Sequence, residues 1–334
     1  MKQVYYLISF VVLTLIGSCD RDPLYYATAD TATMRFNVDW SGADLSPNGV
    51  TAFIYKNTTG DVLRLRETSS NPNCIDLELP VGTYDIIFVN DTEAELDNVN
   101  YGGTFVQSTF KAYATTDSES KFQTGFGQRQ GLFTGESDLL AKGVVRNVIV
   151  TPSEVEYHKT RPSDYQPVII KEFHVVPARV SEVVNVEIEV VNIGSAAAAP
   201  LSNLTNMALG CFMDNDQRLD DNVTIEFSLN KRTLDKSNAK IGVISREFVT
   251  FGLHNHTTKS DRSHALLMHF QLINGETYQV ALDVTDSINT EHSDINTVHT
   301  IRGKVELPVV IGNGSGPFNP ELEEWEDTIV ELPV

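Results

Sequence analysis

The chain has 334 residues, a formal net charge of −20 and 41% hydrophobic residues. That apolar share can build real cores, which excludes a disordered acidic tail, and the length suits two domains of ordinary size. The acidity argues against nucleic acid, whose phosphates would be repelled, and against charge alone as the hold on an anionic membrane.

At the start, Lys2 precedes an apolar run from Val4 to Ile16, closed by Gly17, Ser18 and Cys19. A charged lead, a greasy middle and small closing residues form the three-part secretory signal. As a helix the run is about 20 Å long, whereas a bilayer core needs about 20 residues to cross. A removable signal therefore fits better than a permanent span. Ile16-Gly17-Ser18-Cys19 resembles the bacterial lipobox. In signals of that kind the cut falls between Ser18 and Cys19, the cysteine sulfur takes a diacylglycerol, and the new amine is acylated. Each buried methylene of such chains contributes about 0.8 kcal/mol, so several chains together hold stably. The expected segments are a signal peptide over 1–18 and a lipidated tether over 19–30.

Strand patterns follow. Met34, Phe36, Val38 and Trp40 alternate with polar residues, which predicts a strand with one buried face. Thr51–Tyr55, Val62–Leu65, Ile75–Leu79 and Tyr84–Phe88 continue the pattern, with turns at Asn57–Gly60 and Pro80-Val81-Gly82. Further strands are predicted at Thr104–Tyr113, Leu139–Ala141 and Val144–Val150. Prolines 152, 162 and 167 bracket polar sequence and suggest a domain boundary. In the second half, strands are predicted over Gln166–Val176, Glu182–Ile193, Val223–Leu229 and Arg246–Leu253. Gly194–Gly210 reads as a loop with a short helix. His264–Leu272 and Thr277–Val284 read as a hairpin, and Val305–Ile311 as a closing strand. Leu77–Asp91 and Phe270–Asp286 share a Gly turn running into Thr-Tyr, and are expected to be corresponding hairpins with Tyr84 and Tyr278 in matching places. The expected architecture is all-β: an N-terminal sandwich over 31–155, a C-terminal sandwich over 163–311, and a Gly-rich linker with an acidic terminal segment over 312–334.

Catalytic motifs are lacking: the chain has no HExxH, G-x-S-x-G, P-loop or CxxC. No enzyme activity and no cofactor are expected. His254 and His256 would share a face if they lay on a strand, and imidazole is a common metal ligand. The competing reading is a solvated turn. Asp214, Asp216, Asp220 and Asp221 form an acidic loop, but it lacks the Gly and closing Glu of a calcium loop. Cys74 and Cys211 read as two separate thiols rather than a bridge. Among aromatics, Trp40 reads as core and Trp325 lies in the terminal segment.

Cys19-Asp20-Arg21-Asp22, Met34–Trp40, Leu79–Asp85, Phe88–Asp91, Phe248–Gly252 and Asn274–Tyr278, in this order, resemble the fimbrillin-associated, fimbrial anchor-like lipoproteins of Bacteroides-type bacteria, a group of mostly unassigned function. The resemblance implies two tandem transthyretin-like β-sandwich domains. It also implies an outer-membrane, surface-exposed lipoprotein that anchors or caps a fimbria and has fimbrillin-type subunits as partners. Polymerising fimbrillins lose an N-terminal segment that ends at an arginine; Arg21 lies too near Cys19 to release a strand-length piece, which favours an anchor over a shaft subunit. Partners would be bound by strand addition. The terminal segment, with Trp325, Ile329 and Leu332, is then a candidate donor strand, its competing reading being a strand packed on its own domain. A surface glycan-binding lipoprotein is the alternative function.

Overall fold

Alternation in the first strand has a direct physical result. β1 (Thr31–Val38) points Ala32, Met34, Phe36 and Val38 into a core, each under one-tenth exposed. The computed structural model describes residues 30–57, 62–92, 95–120, 131–160, 168–235, 238, 240–254, 262–293, 296–310 and 326–330. After β1 come β2 (Val50–Lys56), β3 (Val62–Ser69), β4 (Cys74–Pro80), β5 (Gly82–Asn90), β6 (Val99–Gly102), β7 (Lys111–Ala114), β8 (Phe133–Thr134) and β9 (Ala141–Val150). Helix α1 (Pro152–Thr160) precedes β10 (Ile169–Val175) and β11 (Ala178–Arg179). The second half holds β12 (Glu182–Val191), β13 (Leu201–Ala208), β14 (Gly210–Phe212), β15 (Asn222–Ser228), β16 (Lys231–Asp235) and β17 (Ile241–Thr250). It closes with β18 (Ala265–Gln271), β19 (Thr277–Asp283), β20 (Ile288–His292), β21 (Thr297–Glu306) and β22 (Glu326–Val330).

The fold is all-β, as expected, with two pairs of facing sheets. In the first pair, a sheet of order β10-β1-β4 packs on one of order β11-β9-β5-β2-β3. Phe36 and Phe88 meet across it with ring centroids 5.1 Å apart. In the second pair, β20-β21-β12-β17-β16-β22 packs on β19-β18-β13-β15-β8. Phe227 and Phe248 bridge that gap at 4.4 Å. A small sheet, β14-β7-β6, ties the halves together.

Several expectations change on contact with these sheets. The chain does not leave the first sheet pair at 155–163: β10 runs parallel to β1 and β11 pairs with β9. Conversely, β8 from the first half pairs with β15 of the second. The halves also share a core. Phe53, Tyr55, Ile87 and Val89 lie on the far face of the first five-stranded sheet and belong to the same apolar cluster as the C-terminal core. That explains why β2 and β5 are buried on both faces rather than alternating.

The two similar segments are not corresponding hairpins. β18 and β19 pair directly, whereas β4 and β5 stand in different sheets, each pairing elsewhere. Tyr84 is fully buried with its hydroxyl donating to Pro80 O at 2.9 Å, while Tyr278 is 36% exposed. Thr104–Tyr113 is a strand only at β7; a tight turn precedes it. Gly194–Gly210 holds a full strand, β13, and the closing strand begins earlier, at Thr297.

Proline-bracketed 151–160 is a helix start. Thr151 Oγ1 accepts the Glu154 N–H at 3.4 Å, and Glu154 Oε2 accepts the Thr151 N–H at 2.8 Å. This reciprocal capping box, with Pro152 first in the helix, satisfies amides that would otherwise lack partners. Val155 then seats α1 on the first core.

Candidate functional site

The six-stranded sheet ends in a strand that arrives from far along the chain. β16 pairs antiparallel with β17 and, on its other side, parallel with β22. The register sets Lys231 beside Glu326, Arg232 beside Asp327, Thr233 beside Thr328, Leu234 beside Ile329 and Asp235 beside Val330. Two basic positions thus stand next to two acidic ones. Leu234 is half-buried against the C-terminal core. Gly242 of β17 lies under it; a Cβ there would come within 2.9 Å of Thr233 O and 2.8 Å of the Ile193 side chain. Glycine therefore lets β16 close on the sheet, and β16 in turn offers its outer backbone to β22.

The candidate donor segment is accordingly seen as a strand on its own chain over 326–330, with Ile329 in register. Trp325 and Leu332 lie outside the described residues, as do Ser18, Cys19 and His256. β1 makes a contrast with β22. It is a central strand, held by β10 on one side and β4 on the other, and Arg35 clamps Asp76 of β4 with two bonds of 2.8 Å.

The acidic loop after β14 has another use. Asp214 Oδ1 accepts from Arg146 at 2.7 Å and from Gln107 at 2.8 Å. Lys142, buried on β9, reaches Asp216 at 2.9 Å and Met213 O at 2.5 Å. Arg146 also bonds Asp85 at 3.1 Å. Burial alone would raise the Asp85 carboxyl, but the Asn147 N–H, the Asn57 amide and Arg146 outweigh it and hold the group below its usual range. Asp214 and Asp216 thus tie the loop after β14 to β9 of the first five-stranded sheet, and Asp85 of β5 holds Arg146 in place. A second network, of Glu182, Arg218, His299 and Thr290, is buried where the chain enters β12.

The remaining candidates are dispersed. His254 is half-buried just after β17, and His264 is buried with Nδ1 2.9 Å from Thr205 O. Among the described residues no three His, Cys, Asp or Glu side chains come together as a metal site. Cys74 and Cys211 are free thiols, both pushed above the usual range by burial. Trp40 is core, as expected, with Nε1 donating to Pro72 O at 2.8 Å; it supplies no exposed platform for a sugar ring. A shallow cleft of about 390 Å³ includes Asp91, Glu95 and Asp138. All three carboxylates already accept backbone N–H groups, from Gly49, Thr92 and Asp97 respectively. Among the described residues no helix is long and apolar enough to cross a membrane.

The molecule is thus a double β-sandwich whose terminal strand completes a sheet edge. The chain belongs to the family described as a domain of unknown function (DUF5119), whose model matches residues 18–228. No curated protein matches it. Among solved structures, a candidate adhesin from Bacteroides ovatus is similar, with 13% identity, 91% of this chain and 94% of that chain covered, and a TM-score of 0.52. The fimbrial anchor protein Mfa2 from Porphyromonas gingivalis aligns at 11% identity over 81% and 90% of the two chains, with a TM-score of 0.46. A candidate polysaccharide-binding protein from Bacteroides thetaiotaomicron aligns at 10% identity over 75% and 80%, with a TM-score of 0.44. The likeness to the Bacteroides ovatus structure shows that the two chains share a fold.

Proposed function

We propose that the chain is a non-catalytic cell-surface lipoprotein, an anchoring or accessory subunit of a fimbria. In this reading it is held to the outer membrane by lipid on Cys19 and binds fimbrillin-type subunits by strand addition. One observation carries the reading: the parallel seating of β22 on β16. The six-stranded sheet has an edge that takes up an extended segment, and a partner's strand would gain the same backbone hydrogen bonds there. β22 holds the place through five residue pairs, so it is the piece to be exchanged.

The first strand plays the opposite part. Clamped between β10 and β4, β1 is the fixed end of the molecule. The stretch from Cys19 to Thr31 spans at most about 40 Å when fully extended, which keeps the start of β1 within that distance of the membrane. The two sheet pairs are then tandem transthyretin-like domains, the first completed by β10 and β11. The fold shared with a candidate adhesin supports a surface role.

The test is a pull-down from outer membranes of cells with and without the gene. A fimbrial subunit should co-purify with the chain, and fimbriae should detach or change length without it. Normal, attached fimbriae in the absence of the gene, with no subunit recovered, would remove the basis for the proposal.

A further inference from the structure

We infer that β19 is a self-association edge, at which two copies of this chain join antiparallel strands about Val280. β19 ends the second five-stranded sheet; β18 is its neighbour on one side, and no described residue pairs with it on the other. Edge strands normally carry charges, prolines or bulges that discourage pairing. Here β4 has Asp76 and Glu78, β3 has Arg64 and Arg66, and β10 has Lys171 and Glu172. β8 and β11 are only two residues long. β19 reads TYQVALD over seven residues, with no proline and with its single charge at the last position.

The apolar layer also runs out to this margin. Tyr278, Val280 and Leu282 stand in register with Phe270, Met268 and Leu266 of β18, which are core residues. Val280 and Leu282 pack on that core but remain half-exposed, and Tyr278 is 36% exposed. A further strand would continue the layer instead of leaving it at solvent.

The sequence fits a second copy of itself. Antiparallel pairing about Val280 sets Tyr278 against Leu282, Gln279 against Ala281, and Thr277 against Asp283, each pair occurring twice. An aromatic ring meets an aliphatic chain, a hydroxyl meets a carboxylate, and no like charges meet. The same operation on β4, about Leu77, would set Asp76 against Glu78. Two five-stranded sheets become one of ten across a two-fold axis, an isologous contact. One strand pair, about 24 Å long, buries less than a standard interface, so the association is weak and reversible.

Sedimentation equilibrium of the full chain in density-matched detergent tests this. The wild type should show a reversible monomer–dimer equilibrium. Gln279→Lys with Ala281→Lys puts lysine opposite lysine twice, at two exposed positions, and should raise the dissociation constant at least about fivefold. Gln279→Glu with Ala281→Lys puts opposite charges in the same places and should keep the dimer as tight as wild type or tighter. Both variants lose the Gln279 amide beside His269 Nδ1, so their melting temperatures should match each other, and the difference in association between them reads the charge pairing alone. A wild type that stays monomeric, a dimer indifferent to the double lysine variant, or equal weakening by both variants would overturn the inference.

Discussion

Glu182→Gln removes the charge at the centre of the buried network where the chain enters β12. In the folded chain Glu182 Oε1 accepts from Arg218 Nη2 at 2.5 Å, and Oε2 lies 2.5 Å from His299 Nε2. The Arg218 and Glu182 side chains are only 3% and 6% exposed, so water does not screen the pair. Arg218 Nη1 donates to Val180 O at 3.1 Å, and His299 Nδ1 lies 2.9 Å from Thr290 Oγ1. The surroundings leave no room to adjust: a Cβ on Gly252, at φ +75°, would overlap the Glu182 carboxylate. With the amide in place, Arg218 keeps its charge in a buried site without its counter-charge. Breaking a buried pair in that way costs about 3–5 kcal/mol. For a slope of about 3 kcal/mol per molar urea, the unfolding midpoint should fall by about 1 M or more. A double-mutant cycle adds a sharper readout. Replacing Glu182 and Arg218 together by leucine should cost less than the two single changes summed, by at least about 2 kcal/mol. A midpoint for Glu182→Gln within about 0.2 M of wild type, or an additive cycle, would refute the reasoning.

Thr151→Ala opens the capping box of α1 and should cost about 1 kcal/mol, seen as faster amide exchange over 153–160; unchanged protection would mean the box carries no weight. The Asp85 carboxyl is held below its usual range, so the unfolded chain takes up that proton first as pH falls. Its contribution is intact above about pH 4 and is lost as pH drops through the lower folded value. Asp85→Asn should therefore flatten the decline in stability between pH 5 and pH 3 (roughly the carboxylate range), and a decline as steep as wild type would show that other groups set it. Cys19→Ala should move the chain from the membrane fraction to the soluble fraction, and firm membrane retention would exclude lipid as the anchor.

How far the fold was legible depends on where each strand sits. β1 and β12 each bury one side and face polar neighbours on the other, and their alternation was plain. β13 was hidden because it lies mid-sheet with buried Ser202 and Asn203, and because a bulge between Leu204 and Met207, with Asn206 at φ 62°, breaks the period. β21 was hidden by its polar outer face, where Arg302 and Lys304 pair with Glu187 and Glu189 of β12. The capping box at Thr151–Glu154 is visible in the letters, but the prolines around it suggest a domain boundary. Tyr84 and Tyr278 show the reverse error: similar local sequence, with one residue in a core and the other at an edge. The strand at 326–330 was legible only as two alternatives, donated or packed at home. Five residues carry no pattern strong enough to decide, and the partner β16, itself short, gave no signal of its own.

The claim that partners enter where β22 leaves is tested most directly by a reversible lock. Thr233 and Thr328 are in register between β16 and β22, so Thr233→Cys with Thr328→Cys should form a disulfide that fixes β22 on its own sheet. Under oxidising conditions the locked chain should stay folded and membrane-bound yet fail to recover fimbrial subunits in a pull-down, and reductant should restore recovery. Equal recovery with the lock closed and open would contradict strand exchange at this edge.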